Sequence, residues 1–360
     1  MNYESLKPLL FKLNPEHAHA LVEWTLRTAN CILPSSLNLL ARECIIDDES
    51  LHQELLGLYF ANPVGLAGGF DKNATMIRPL SALGFGFLEF GTLTPKAQKG
   101  NDKPRLFRLV EQESIQNAMG FNNAGKDKIA QNVRKVYPFV LPLGANIGKN
   151  KLTKNEDAIN DYIMLIRDFN PLCDFFIINI SSPNTKGLRD LQSKKFIIEL
   201  MKEAKKLAQK PILLKISPDM SEKDALNLCE EALNLGIVGF IIANTSVDYS
   251  LLDNNRTFGG ISGRSIEQKS GAFFKALSKE LENIMDKRKS ALYSKKDDTL
   301  IPVVKDDKAD CEAQAIAVIV HDGDSAGAVI LCAYDEKADK SEIAEKLAGA
   351  AAEFLADQLG

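Results

Sequence analysis

A chain of 360 residues with 45% hydrophobic and 26% charged residues has the composition of a soluble globular protein of one large or two ordinary domains, which excludes disordered and collagen-like classes. The formal net charge of -4, with no basic stripe, argues against nucleic acid as a partner. Six cysteines (Cys31, Cys44, Cys173, Cys229, Cys311, Cys332) without a C-x-x-C, and four histidines that form no cluster, predict a reducing cytoplasmic setting and no structural metal.

The opening residues carry no signal-peptide pattern and the chain has no run of about 18 apolar residues, so neither export nor a membrane span is expected. Leu6, Leu9, Leu10 and Leu13, then Ala18, Leu21, Val22, Trp24, Thr25 and Leu26, predict two short amphipathic helices. They break at Asn14-Pro15, where Asn caps and Pro fits the first helical turn. Such helices either cover a core or lie in a lipid interface, and Lys7, Lys12 and Arg27 are a thin basic complement for the second role.

From about residue 61 to 281 short apolar runs alternate with longer stretches of helical period. The runs are 63–67, 85–90, 139–145, 174–180, 211–216 and 237–243, and the helix candidates lie near 74–83, 123–135, 155–169, 194–208, 222–234 and 266–280. This alternation predicts a parallel sheet buried on both faces. Six units exceed one nucleotide-binding half and point to a (β/α)8-type TIM barrel preceded by a helical extension.

In such a barrel the chemistry lies on the loops after the strands. Those loops read "AGGFDKNA", "GTLTP", "ANIGKNK", "NISSPNT", "KISPD" and "ANTS", with "QNAMGFNN" and "GGISGR" as further loops. A single Asn or Ser at a strand end is most often a turn residue. Five asparagines, Asn117, Asn146, Asn179, Asn184 and Asn244, nearly all on one predicted rim, instead make an amide-lined pocket suited to a heterocycle rich in C=O and N–H groups. Lys72 and Lys215 share the rim. Lys215 closes an apolar run, so its amine is expected in the barrel mouth as a fixed cation. No Glu or His stands out as a base, which leaves the hydroxyls of "NISSPNT" for proton transfer.

The stretches "NPEHAHAL", "NPVGLAGGFDKN", "EFGTLTP", "GNDKPRLFRL", "QNAMGFNN", "ANIGKNK", "NISSPNTKGLRDLQ", "LLKISPD", "ANTS" and "GGISGR", in unbroken order up to about residue 281, resemble the membrane-associated, quinone-reducing class of dihydroorotate dehydrogenases. The resemblance implies an enzyme of pyrimidine synthesis that oxidises dihydroorotate to orotate with FMN and a membrane quinone. Ser182 matches the family's base, relayed onward through water or Thr185. Lys72, Asn117, Gly120, Phe121, Asn179, Asn184, Asn244 and Thr245 match substrate contacts. Ala67, Gly68, Lys72, Thr92, Asn146, Asn179, Lys215, Ala243 and Gly263 match the FMN lining, with Ala243 standing where relatives often have Thr. His19 and Arg108 match a quinone tunnel. The resemblance implies three regions: residues 1–35 as the amphipathic membrane and quinone-entrance segment, 36–281 as the FMN-binding barrel, and 282–360 as something else. It also places the protein in the cytoplasm, peripheral on the inner face of the cell membrane and in contact with its lipid.

After about residue 281 the likeness stops, and the two last β/α units, with the glycine turn that holds the FMN phosphate, are replaced. A charged stretch (286–310) precedes two apolar runs joined by "HDGDSAG" (313–336), which predicts an antiparallel hairpin, and Ser341 then caps an amphipathic helix. This α+β tail resembles the carboxyl end of the GAF-like domain of stage V sporulation regulator T. The expectation is therefore a quinone-linked flavoenzyme with an incomplete barrel. The alternative is an inactive or flavin-poor fusion chain whose tail serves sensing or self-association.

Overall fold

The structure, a computed structural model, describes residues 3–292, with side chains placed for residues 7–281. The hairpin and helix expected after residue 312 lie outside the described residues. Helices α1 (Tyr3–Leu10) and α2 (Pro15–Ile32) form as the pattern predicts, and Asn14 caps α2 by accepting the Glu16 N–H at 3.0 Å. A third helix, α3 (Ser35–Cys44), follows. Ala18 is the one buried residue of α2, and Leu21, Trp24, Ile32, Leu33 and Leu39 are exposed. These helices therefore leave an apolar face uncovered among the described residues.

A hairpin comes next, β1 (Gln53–Leu55) with β2 (Leu58–Phe60). Its two-residue turn, Leu56-Gly57, has φ of 57° and 70°, the left-handed pair that matches strand twist in tight hairpins. Six parallel strands then alternate with helices: β3 (Gly65–Asp71), α4 (Ile77–Ser81), β4 (Phe87–Leu93), and, after a small excursion, α5 (Lys126–Arg134), β7 (Leu143–Ile147), α6 (Ala158–Phe169), β8 (Phe175–Asn179), α7 (Lys194–Ala204), β9 (Ile212–Lys215), α8 (Glu222–Asn234) and β10 (Gly239–Ile241). The excursion supplies β5 (Leu106–Leu109) and β6 (Ser114–Asn117), and after β10 come β11 (Gly260–Gly263) and α9 (Glu267–Leu292).

The main sheet has the order β10-β9-β8-β7-β4-β3, every pair parallel. It is a curled sheet of (β/α)8 type carrying six of the eight strands, with β3 and β10 as its two edges among the described residues. The second sheet, β11-β6-β5, is antiparallel. "QNAMGFNN" and "GGISGR" were expected to be loops, but Gln116 and Asn117 end β6 and residues 260–263 are β11. Short mixed-polarity strands of this kind show neither the period of a half-buried strand nor an apolar run.

Outward residues of the main sheet meet the helices in one large core that includes Leu66, Leu88, Phe176, Ile178, Leu214, Tyr162, Leu165 and Ile197. Helix α6 contributes Ala158, Tyr162, Leu165, Ile166 and Phe169 at helical spacing. Inward residues Ala67, Phe87, Phe175, Ile177, Leu213 and Ile241 form a second cluster, onto which Leu55, Leu58 and Phe60 of the hairpin pack. A Cβ on Gly65 would come within 2.2 Å of the Phe87 ring, so a larger residue there would displace this inner packing.

Candidate active site

Side chains alternate faces along a strand, and here the inward set changes character along the barrel axis. On β4 it runs Phe87, Glu89, Gly91; on β8 Phe175, Ile177, Asn179; on β9 Leu213, Lys215; on β7 Gly144, Asn146. The same parity that fills one end with apolar rings delivers an acid, two amides and an ammonium to the other. All four are buried.

They form one connected set. Glu89 Oε2 accepts the Gly68 N–H at 2.9 Å and Asn146 Nδ2 at 3.0 Å. Thr92 Oγ1 donates to Asn146 Oδ1 at 2.6 Å, and Asn179 Nδ2 donates to Thr92 Oγ1 and Asn146 Oδ1 at 3.0 and 3.1 Å. Asn244 Nδ2 reaches Ser181 Oγ at 2.9 Å and Asn179 Oδ1 at 3.4 Å, and Asn244 Oδ1 accepts the Thr245 N–H at 2.8 Å. Burial pushes the Lys215 amine below its ordinary pKa, while the negative Glu89 pulls it back up. Glu89 Oε1 has no hydrogen-bond partner.

A small cavity of about 60 Å³ opens on this set, lined by Gly68, Gly69, Lys72, Thr92, Asn117, Met119, Gly120, Phe121, Asn179, Ser182, Asn184, Lys215, Asn244 and Thr245. Ser182 Oγ accepts the Asn184 N–H at 3.2 Å, and Asn184 Nδ2 donates to Asn117 Oδ1 at 3.0 Å. Asn117 Nδ2 is buried without a partner. Phe121 sits in the left-handed region with φ 53° beside Gly120 at 71°, a conformation that costs a non-glycine residue about 1–2 kcal/mol and that turns the ring toward Gly148. Lys72 Nζ donates to the Gly69 carbonyl.

Of the residues singled out in the sequence, Gly68, Lys72, Thr92, Asn117, Gly120, Phe121, Asn179, Ser182, Asn184, Lys215, Asn244 and Thr245 share this lining. Asn146 stands behind it, bonded to Thr92, Asn179 and Glu89, and Ala67 faces the inner apolar cluster. Ala243 packs into the outer core. Gly263 is at the far end of β11 against Glu113 and Ser114. Thr185 Oγ1 is buried without a partner, so the expected Ser182–Thr185 relay is not a hydrogen bond here. Gly69, Met119 and Glu89 were missed; for Glu89 the signal was a lone acid inside the apolar run 85–90. His19 Nε2 is 2.9 Å from the Phe70 carbonyl. Arg108 bonds the Leu13 carbonyl at 2.8 Å, covers the Phe11 ring, and lines a separate cavity of about 370 Å³ that also includes Pro15, Leu106 and Arg256. That cavity does not include His19.

Successive β/α units that turn their polar inward residues to the strands' C-terminal ends define a β/α-barrel enzyme with its active site in the mouth. A family model described as dihydroorotate dehydrogenase matches residues 50–285, and one described as stage V sporulation protein T C-terminal, transcription factor, matches residues 261–360. Over 281 residues the chain is 53% identical to the dihydroorotate dehydrogenase (quinone) of a Nitratiruptor species, and 53% identical to that of Sulfurimonas denitrificans; each match covers 78% of this chain and 80% of the relative. The crystal structure of DHODH in complex with ferulenol from Eimeria tenella superposes with a TM-score of 0.61 at 32% identity, covering 74% of this chain and 77% of that one. The chain belongs to the dihydroorotate dehydrogenase family. That family is flavin-dependent, and the likeness to the sporulation protein agrees with the reading of the tail.

Proposed function

We propose that this chain oxidises dihydroorotate to orotate with a quinone as electron acceptor, using FMN held in the barrel mouth. The observation that carries the reading is the convergence of Ser182, Lys72, Lys215 and four asparagines on one small cavity. The residues present suit the ring end of FMN. Gly68 leaves room where a Cβ would sit 2.7 Å from Asn146 Nδ2, and the buried Lys215 ammonium and Thr92 border the same space. Lys215, Thr92, Gly68 and Gly69 would hold that ring, with Asn146 and Glu89 fixing them from behind. When bound, FMN supplies the acceptor for the C6 hydride and the connection to the quinone.

The chain's own groups do the rest. Asn117, Asn184, Asn244 and Thr245 orient the substrate's carboxylate and ring edges, and the unpartnered Asn117 Nδ2 is a donor that such a ligand satisfies. Ser182 Oγ takes the C5 proton. The Asn184 N–H already aimed at Oγ stabilises negative charge there as the hydroxyl gives up its own proton to water. Lys72, beside Gly69, adds positive charge near the substrate carboxylate.

The exposed Leu21, Trp24, Ile32, Leu33 and Leu39 on and beside α2 and α3 support peripheral contact with lipid. No helix of the described residues is long and apolar enough to cross a membrane. His19 and Arg108 are the groups proposed for the quinone path, with the cytoplasmic side of the cell membrane as its location.

A second reading has an observation in its favour. The sporulation-protein match takes up residues 261–360, where a complete barrel would place its last two units and the phosphate end of the flavin site. On that reading the chain binds FMN poorly and the tail senses or self-associates. The visible spectrum of the gel-filtered full chain decides between them. Near-stoichiometric flavin that bleaches with dihydroorotate, and a Ser182→Ala variant that keeps its flavin while losing about 10²–10⁴ in rate, support the enzyme. A colourless protein supports the alternative, and full turnover by Ser182→Ala would refute the assigned base.

A further inference from the structure

Arg189 stands outside the pocket on the single 3-10 turn Leu188–Leu191 that follows "NISSPNT", its side chain only 20% exposed. It uses three faces of its guanidinium at once. Nε donates to the Ser181 carbonyl at 2.8 Å, Nη1 to Asp219 Oδ2 at 2.8 Å and Nη2 to the Thr245 carbonyl at 2.7 Å. The Ser181 carbonyl belongs to the peptide that leads into Ser182, and the Thr245 carbonyl directly follows the Asn244–Thr245 pair. The two carbonyls come from the loops after β8 and β10, and Asp219 from the loop after β9.

Asp219 is itself held from several sides. Its Oδ1 accepts Ser246 Oγ at 2.5 Å and Lys269 Nζ at 2.7 Å, and its Oδ2 accepts the Val247 N–H at 2.8 Å. Lys269, on α9, also reaches Asp248 at 3.3 Å. Three strand-end loops are thus tied to one planar fork whose donors have a fixed mutual geometry, which a lysine in its place does not reproduce.

We propose that Arg189 is a positioning residue that sets the spacing between Ser182 and the Asn244–Thr245 clamp across the barrel mouth. The inference rests on the reading of Ser182 as proton acceptor. Misplacement by about 1 Å costs on the order of 10²-fold in rate, so loosening such a bracket acts on kcat more than on KM, which rises only as far as the Asn244–Thr245 clamp holds the unreacted substrate.

The test uses the full-length chain with Arg189→Ala and Arg189→Lys. Both variants are expected to keep flavin per protein unchanged and to lose roughly 30- to 100-fold in kcat, with a smaller rise in KM. Added guanidinium ion should restore part of the rate to Arg189→Ala, and the lysine should not. Hydrogen–deuterium exchange, which needs no turnover, should accelerate in both segments 180–186 and 243–248 and leave 143–150 unchanged. Acceleration confined to residues 186–193, an unchanged kcat, or a loss that only tracks flavin would each overturn the proposal. Turnover surviving Ser182→Ala while Arg189→Ala still loosens both segments would sink the base assignment and leave the bracket standing.

Discussion

Replacing Glu89 by Gln tests whether the buried carboxylate supports the mouth or merely burdens it. Glu89 is 1% exposed, and its Oε2 receives the Gly68 N–H and the Asn146 amide. Hydrogen bonds to a charged acceptor contribute about 1.5–3 kcal/mol each and neutral ones about 0.5–1.5, so neutralising the acceptor weakens the pair by about 2–3 kcal/mol. Lys215 also loses the negative charge that offsets its burial. Against these stands the relief of desolvating a carboxylate whose Oε1 has no partner. We take the net as a loss of about 1–3 kcal/mol, or roughly 2–5 °C in Tm for a domain of this size. The assay is urea unfolding at neutral pH, with flavin content measured on the same samples. A Glu89→Gln protein as stable as the parent, at unchanged m-value, would refute the reasoning, because the desolvation term would then dominate.

Two further outcomes are expected. Burial raises the Asp219 pKa, but Lys269, Ser246, the Val247 N–H and Arg189 together outweigh it and hold the carboxyl below its ordinary 3.8. A group depressed in the folded state contributes stability that is present above its unfolded pKa and lost as pH falls through the folded one. Asp219→Asn should therefore cost about 1–3 kcal/mol at neutral pH and flatten the fall in urea midpoint below about pH 4; parallel pH curves for the two proteins would contradict this. Trp24→Glu on the exposed face of α2 should weaken co-sedimentation with anionic phospholipid vesicles about 10-fold or more, from the 1.5–3 kcal/mol that burying a large apolar side chain contributes. Undiminished binding would remove lipid contact from the proposal.

The parallel strands were legible because each is a short apolar run buried on both faces, and the helices between them because one stripe of each must face that sheet. Ser193 and Ser221 cap α7 and α8 through their side chains, again a local signal. The hairpin β1–β2, helix α3 and the antiparallel β5, β6 and β11 were not legible. The residues of these elements are few and mixed in polarity, and β11 becomes a strand only because β6 from elsewhere in the chain completes its ladder, Gly260 facing Asn117 across more than a hundred residues.

The candidate site divides in the same way. Amides and lysines next to glycines at strand ends are local facts of the sequence, and with the family motifs they mark out the pocket lining. Strand parity and three-dimensional convergence decided the rest. Asn146 and Glu89 stand behind the lining because inward positions on neighbouring strands meet at one level of the barrel. Ala243 and Gly263 fall away from the lining for the same kind of reason. Arg189 and Asp219, thirty residues apart, have no local pattern that distinguishes them from any surface ion pair; only the folding of three loops onto one guanidinium reveals the grip, because hydrogen-bond geometry depends on distances that sequence separation does not contain.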